Sequence, residues 1–316
     1  MENESLTSES LGQVHRATIK SSGESIVLKV QYPNLQKVIS SDLITIKRLL
    51  RLFDLLPKEG KFDELFSEVK EMLIRELDYE KELNSLTAMK NLIGDDPRYI
   101  LPTPYANFST KKVLAMSYEP GLNVDSDEVK NWNQERRNRI AQSFLELYFR
   151  ELFEFRFMQT DPHLGNYRLR INHSGCDSLI LYDYGAMKKI SEPFWTSYYK
   201  VIYGALQHQQ NVLLEGAKEL GLIKSTDSPE LINEYIELCY LFTEPFTQLK
   251  GNYNWRESNL PRRVATAGKN MLLTFHFRTP PRDLIFLDRK MAGVYSFLAT
   301  LSATINGRSI VEKWIK

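Results

Sequence analysis

Along the first third of the chain, apolar and polar residues alternate with a period of two in two short runs. Val14 to Ile19 (VHRATI) and Ile26 to Gln31 (IVLKVQ) carry this pattern, with turn chemistry at Ser21-Ser22-Gly23-Glu24 between them. Strand, short turn and strand predict a β-hairpin. Tyr32-Pro33 ends the second strand. The period then lengthens to that of a helix from about Ser41 to Leu55, with Ser40, Ser41 and Asp42 as cap candidates. A second helical stretch runs from Phe62 to about Leu92, with Leu65, Phe66, Val69, Met72 and Leu73 at helical spacing. Pro102 and Pro104 follow beyond its end. Val113 to Met116 reads as a further strand, and Ser117-Tyr118-Glu119-Pro120-Gly121 is punctuated like a hinge.

Beyond the hinge the pattern is mainly helical. Glu135 to Phe157 predicts one long helix, followed by a polar loop over Gln159 to Asn166. Two short strands follow, Tyr167 to Ile171 and Ser178 to Tyr182, joined by Asn172-His173-Ser174-Gly175. From Glu192 onward about five helices are expected. This uneven distribution predicts an α+β chain with a small mixed lobe over 1–118 and a larger, mainly helical lobe over 119–316, sharing a cleft. Met291 to Ile305 is too short and too rich in Ser, Thr and Gly for a membrane span, which needs about 20 apolar residues, and reads as a buried amphipathic helix. The aromatics Trp195, Tyr198, Tyr199, Tyr203 and Trp255 read as core.

Composition changes the picture little. Hydrophobic residues make up 42% and charged residues 26% of 316, an ordinary globular balance. The net charge of +1 gives no global field for nucleic acid, and Arg136, Arg137 and Arg139 read as a solvated helix face. Cys176 and Cys239 cannot make a disulfide framework and suit a reducing compartment. MENESLTSES has neither the basic nor the apolar region of a secretory signal, so a cytoplasmic location is expected, with peripheral contact at the inner membrane left open.

Candidate chemistry lies in three places. Thr160-Asp161-Pro162-His163-Leu164-Gly165-Asn166 follows an apolar helix, and an Asp and an Asn five apart match a catalytic loop in which the Asp accepts a proton and the Asn holds a metal. Leu181-Tyr182-Asp183-Tyr184-Gly185 ends a short apolar strand and has the form of a metal-binding DFG-like turn with Tyr for Phe. Lys29 sits within Val27-Leu28-Lys29-Val30, where a cation on the α- and β-phosphates of a nucleotide would sit. Each of these also has an ordinary reading: Asp-Pro and Asp-Tyr-Gly make turns, and a strand lysine is usually exposed. Their order along the chain favours phosphoryl transfer. Ser10-Leu11-Gly12-Gln13 could cover phosphates, although a single glycine is a weak signal. Glu76 to Glu82 is a dense acidic run; Asp78 and Glu82 are i, i+4 neighbours if helical, and a solvated face is its ordinary reading.

Taken together, SLGQVHRA (10–17), VLKVQYP (27–33), ELDYEKELN (76–84), TDPHLGN (160–166) and YDYG (182–185) resemble the UbiB/AarF family of atypical kinases. Leu287 to Tyr295 resembles that family's C-terminal helix. The resemblance implies a protein-kinase-like two-lobed fold that uses ATP and Mg2+. It implies Lys29 as nucleotide lysine, Glu82 as its ion-pair partner, and Glu76 and Asp78 as the ExD pair. Asp161 would take the catalytic-loop role, Asn166 and Asp183 would hold metal, and the backbone near Met116 to Tyr118 would meet adenine. It further implies a tie to isoprenoid-quinone or lipid metabolism, with a quinone precursor, a lipid, a membrane surface or quinone-biosynthesis proteins as partners.

Three features depart from the family pattern. Thr7-Ser8-Glu9-Ser10 stands where an Ala-rich segment is usual, and a glutamate near phosphates would repel them. Leu164 replaces a usual proline. The KxGQ motif of the family's N-terminal extension is not in this sequence, so the expectation is a fragment or a chain acting without that gate. An active ATPase or kinase is therefore the first reading, and a nucleotide-binding pseudokinase acting as scaffold or lipid chaperone is the alternative. An antibiotic- or choline-type phosphotransferase shares the Asp–Asn loop but lacks SLGQVHRA and ELDYEKELN.

Overall fold

The computed structural model describes residues 5–8, 12–52, 70, 74, 77–172, 176–247, 251–275 and 280–315. The chain divides into two compact units, one from residues 1–96, 101–120 and 182–186, the other from 97–100, 121–181 and 187–316. The fold is α+β and kinase-like, a mixed unit and a mainly helical one.

The mixed unit is built on an antiparallel sheet in the order β1 (Ser5–Ser8), β2 (Gly12–Thr18), β3 (Ser25–Gln31), β5 (Val113–Ser117). The expected hairpin is β2–β3, paired from Gly12↔Gln31 to Thr18↔Ser25. It turns through Gly23, whose φ of 74° is where a Cβ is unfavourable. Strand periodicity puts Val27 and Lys29 on one face, and both are buried. Lys29 is thus not the exposed strand lysine of the ordinary reading.

Helix α1 (Leu35–Leu52) starts some six residues before the expected cap, immediately after Asn34, which takes a positive φ of 62°. Helix α2 (Tyr79–Ile93) covers only the end of the expected 62–92 helix; 53–69, 71–73 and 75–76 lie outside the described residues. Asp78 is therefore not within the helix. It stands at the N-cap in extended conformation, φ −99° and ψ 92°, and the helical period begins with buried Tyr79, Glu82, Leu86, Met89 and Ile93.

In the helical unit, β4 (Tyr99–Ile100), β9 (Ser178–Leu181), β8 (Tyr167–Arg170) and β6 (Leu122–Asn123) form one small sheet. The expected 135–157 helix is shorter. After α3 (Asp127–Lys130), α4 (Gln134–Phe149) passes into a π-helical stretch at Arg150–Phe155. Arg156 then takes a left-handed φ of 50°, and Phe157–Gln159 forms β7, paired with β10 (Met187–Lys189). Apolar periodicity continues through this stretch because Phe153 and Phe155 fit either helix register.

Five longer helices follow: α5 (Glu192–Leu206), α6 (Gln210–Glu219), α7 (Pro229–Thr247), α8 (Leu260–Phe275) and α9 (Arg282–Thr300). The small β11–β12 pair (Tyr253–Asn254, Thr304–Ile305) and α10 (Gly307–Val311) complete the unit. Phe144 of α4 stacks on Phe297 of α9 and meets Tyr167 of β8 edge-on at 4.8 Å between centroids, so helix and sheet share one core. Trp195, Tyr198 and Trp255 are buried, as expected of core aromatics. Among the described residues no helix is long and apolar enough to cross a membrane.

Candidate active site

In the mixed unit, β3 carries Lys29 inward and the first turn of α2 carries Glu82 to meet it. Lys29 Nζ donates to Glu82 Oε1 at 3.2 Å and Oε2 at 3.3 Å, with the two residues 7% and 4% exposed. The same ammonium lies 3.5 Å from Asp183 Oδ2, so one buried cation is shared by two carboxylates. Burying a lysine is costly unless it is paired and hydrogen-bonded, and Glu82 meets that need through both oxygens. The i, i+4 spacing of the acidic run could not say which carboxylate turns inward; the start of α2 at Tyr79 decides it.

Asp183 is held by its own turn. Its Oδ1 accepts from Gly185 N–H at 2.8 Å. A Cβ at Gly185 would stand 3.3 Å from Glu82 Oε2 and 3.4 Å from Asp183 Oδ1, tight against the two acids. Tyr182 donates its hydroxyl to Glu119 O, tying this turn to the segment after β5. Asp78 Oδ1 is buried and has no hydrogen-bond partner among the described residues.

Gly12 has a packing reason for being glycine: a Cβ there would stand 2.3 Å from Val30 O, too close for the β2–β3 ladder. Gln13 pairs with Val30, and its Oε1 lies 3.2 Å from His15 Nε2. At the expected hinge, Met116 is buried, Ser117 N–H donates to Thr103 O, and Tyr118 N–H donates to Ser25 O at 3.2 Å. Ser10 and Glu76, with Glu9, fall outside the described residues.

In the helical unit, Asp161 and Asn166 bracket a tight loop. Asn166 Nδ2 donates to Asp161 O at 2.9 Å and Oδ2 at 3.2 Å, and His163 Nδ1 accepts from Gly165 N–H at 3.0 Å. Helix α9 holds this loop at three points. Arg289 donates to Asp161 Oδ1 at 2.5 Å. Lys290 Nζ donates to Gln159 Oε1 at 3.3 Å, and Gln159 in turn donates to Asp161 O at 2.5 Å. Gly293 lies against Pro162, where a Cβ would come within 2.1 Å of the proline ring. Lys290 is also 3.0 Å from Glu151 Oε2, both 2% exposed. Desolvation works against the Lys290 ammonium, but Glu151 and Tyr167 more than offset it and raise its pKa. The resemblance of 287–295 to a family helix is legible in the sequence, but not the roles of Arg289, Lys290 and Gly293, because their partners lie about 130 residues away.

Magnesium takes oxygen ligands and keeps part of its coordination for water and phosphate. Within the mixed unit the Asp183 carboxylate is a donor of that kind and the Lys29 ammonium beside it is suited to phosphate; within the helical unit the Asn166 amide offers a further oxygen.

The chain matches the ABC1 atypical kinase-like domain over residues 1–217. It belongs to that family. Among other ABC1 proteins, it is 30% identical over 304 residues to the mitochondrial atypical kinase COQ8B of Rattus norvegicus, covering 96% of this chain and 56% of the rat protein. It is 26% identical to the mitochondrial atypical kinase COQ8 of Saccharomyces cerevisiae, covering 94% and 58%. To the AarF domain-containing protein kinase 1 of Xenopus laevis it is 32% identical, covering 84% and 52%. The chain thus spans about half the length of these curated ABC1 relatives. Among solved structures it is similar to Rv3197 of Mycobacterium tuberculosis, described in complex with erythromycin, with TM-score 0.73 and 25% identity over 99% of this chain and 77% of that one.

Proposed function

We propose that this chain is an ATP-dependent atypical kinase or ATPase that uses Mg2+ and serves isoprenoid-quinone or lipid metabolism. The observation that carries the proposal is the buried Lys29 ammonium bound by Glu82 and flanked by Asp183. Lys29 would hold the phosphates, and Glu82 would fix its direction. Asp183 and Asn166 would hold magnesium, which when bound neutralises phosphate oxygens. Asp161 would accept the proton of the attacking hydroxyl or water. Its carboxylate is kept in place by Arg289 at Oδ1 and Asn166 at Oδ2. The backbone of Met116 and Tyr118 would meet adenine, with Ser10, Gly12 and Gln13 near the phosphates and Glu76 and Asp78 reaching toward them. Similarity to proteins named as atypical kinases supports the activity class, and resemblance to the UbiB/AarF family supports the quinone link and peripheral membrane contact.

The test is magnesium-dependent ATP hydrolysis by the purified chain, with and without anionic liposomes, beside Asp183→Asn. Turnover that needs magnesium and falls about a hundredfold or more in the variant is the expected result. Nucleotide binding without turnover in every arm would refute catalysis and leave a binding protein.

Arg289→Ala should lower kcat about tenfold or more with little change in KM for ATP, and Arg289→Lys should recover part of the loss. Steady-state kinetics separates this from general destabilisation, in which the loss would follow the folded fraction.

A further inference from the structure

Helices α4, α5, α7, α8 and α9 of the helical unit line most of a partly open cavity of about 240 Å3. Its walls are almost entirely apolar, drawn from side chains such as Phe149, Val201, Leu222 and Met271. Asp288 of α9 also lines it, and it is the one ionisable carboxyl there; no Lys, Arg or His stands among the described lining residues. Asp288 is half-buried and lines the cavity. Among the described residues it has neither a hydrogen-bond donor nor a cation. Thr243, which also lines the cavity, donates its hydroxyl to Cys239 O at 3.0 Å.

An ionisable acid against apolar walls is costly to the fold, and no ion pair or hydrogen bond of Asp288 among the described residues offsets that cost. We propose that this cavity is a binding site for a small apolar amine, whose hydrocarbon part fills the chamber and whose ammonium pairs with Asp288. The volume exceeds the roughly 150 Å3 of an engineered cavity that takes benzene, so an aromatic ring with a short alkyl amine is of the right size. An amine is favoured over a neutral occupant because no described lining residue carries a positive charge to neutralise the carboxylate. A hydrogen bond to a charged group contributes several times more than one between neutral groups. The site uses none of the proposed nucleotide groups, so it stands or falls independently of the catalytic reading.

Desolvation pushes the Asp288 carboxyl up to about 7. The titratable groups around it are Tyr148 of α4, Tyr198 of α5, Tyr235 and Cys239 of α7 and Tyr295 of α9, all raised chiefly by burial and all neutral near that pH. Asp288 is therefore the group that changes charge. Affinity for an amine should rise about tenfold between pH 6 and pH 8 and then level off.

The test measures binding of phenylbutylamine, phenylbutanol and butylbenzene to the full chain by calorimetry and thermal shift. The amine should bind at least about tenfold more tightly than the other two at pH 8. Asp288→Asn should erase that preference while keeping the hydrocarbon. Gly268→Leu is the second variant: Gly268 lines the cavity and a Cβ there meets nothing within 4 Å, so added bulk at this position should weaken binding of all three. Equal binding of amine and alcohol, an amine preference that survives Asp288→Asn, binding undiminished by Gly268→Leu, or no binding of the amine would each overturn the proposal.

Discussion

Lys290→Met is expected to destabilise the chain by about 3–5 kcal/mol, measured as a shift of the denaturation midpoint. Lys290 and Glu151 are both 2% exposed and 3.0 Å apart, so removing the ammonium leaves a buried carboxylate without its cation, the Gln159 backbone still bonding to it. That residual charge, more than the lost attraction, sets the cost. The double variant Lys290→Met with Glu151→Leu should therefore regain most of the stability, because two apolar groups of similar volume replace the pair. A single variant that loses under about 1 kcal/mol would mean that the pair is not interior. The double variant should still be impaired in turnover, since Gln159 loses its Lys290 contact and it is Gln159 that donates to the Asp161 carbonyl. Stability and activity would then separate, as expected if Lys290 both balances a charge and orients a loop.

Asp288→Leu should stabilise the chain, by an amount that depends on pH. The folded-state carboxyl titrates near 7 against an ordinary value of 3.8. Below about pH 4 the acid is protonated in both states and costs the fold little. Between 4 and 7 the unfolded chain releases its proton while the folded chain keeps it, so stability falls as pH rises. Above 7 the full penalty is in place, roughly 4 kcal/mol for a carboxyl raised from 3.8 to about 7. The gain from leucine should accordingly be small at pH 4, grow to pH 7 and stay level beyond. Denaturation curves at pH 4.5, 6 and 8 would check this. A gain independent of pH would trace to apolar burial alone.

The hairpin, the lysine strand, the Asp161–Asn166 loop and the Asp183 turn are legible in the sequence because each is a local pattern: period-two alternation, turn residues, or spacing within a few positions. The rotation of α2 is not, since it depends on where the helix begins, and a shift of its start changes which acid faces Lys29. The end of α4 escapes for a related reason. Apolar residues continue through Arg150–Phe155, and nothing in their spacing separates an α from a π turn before Arg156 reverses the chain. Gly12 suggests phosphate contact when taken alone, and its closeness to Val30 O is a tertiary fact that one strand cannot reveal. Asp288 is hidden inside a motif whose neighbours carry the contacts to Asp161 and Gln159.

The Asp161 loop also has a timetable. Its supports Arg289 and Lys290 lie 128 and 131 residues further along the chain than the groups they hold. At roughly 5–20 residues per second of synthesis, the loop would wait on the order of ten seconds for α9 to be made. Until then Pro162 has no glycine face to rest on and Asp161 no guanidinium. During synthesis the loop cannot gain these braces before α9 is made, and a nascent chain without α9 carries the acid but not the brace that aims it.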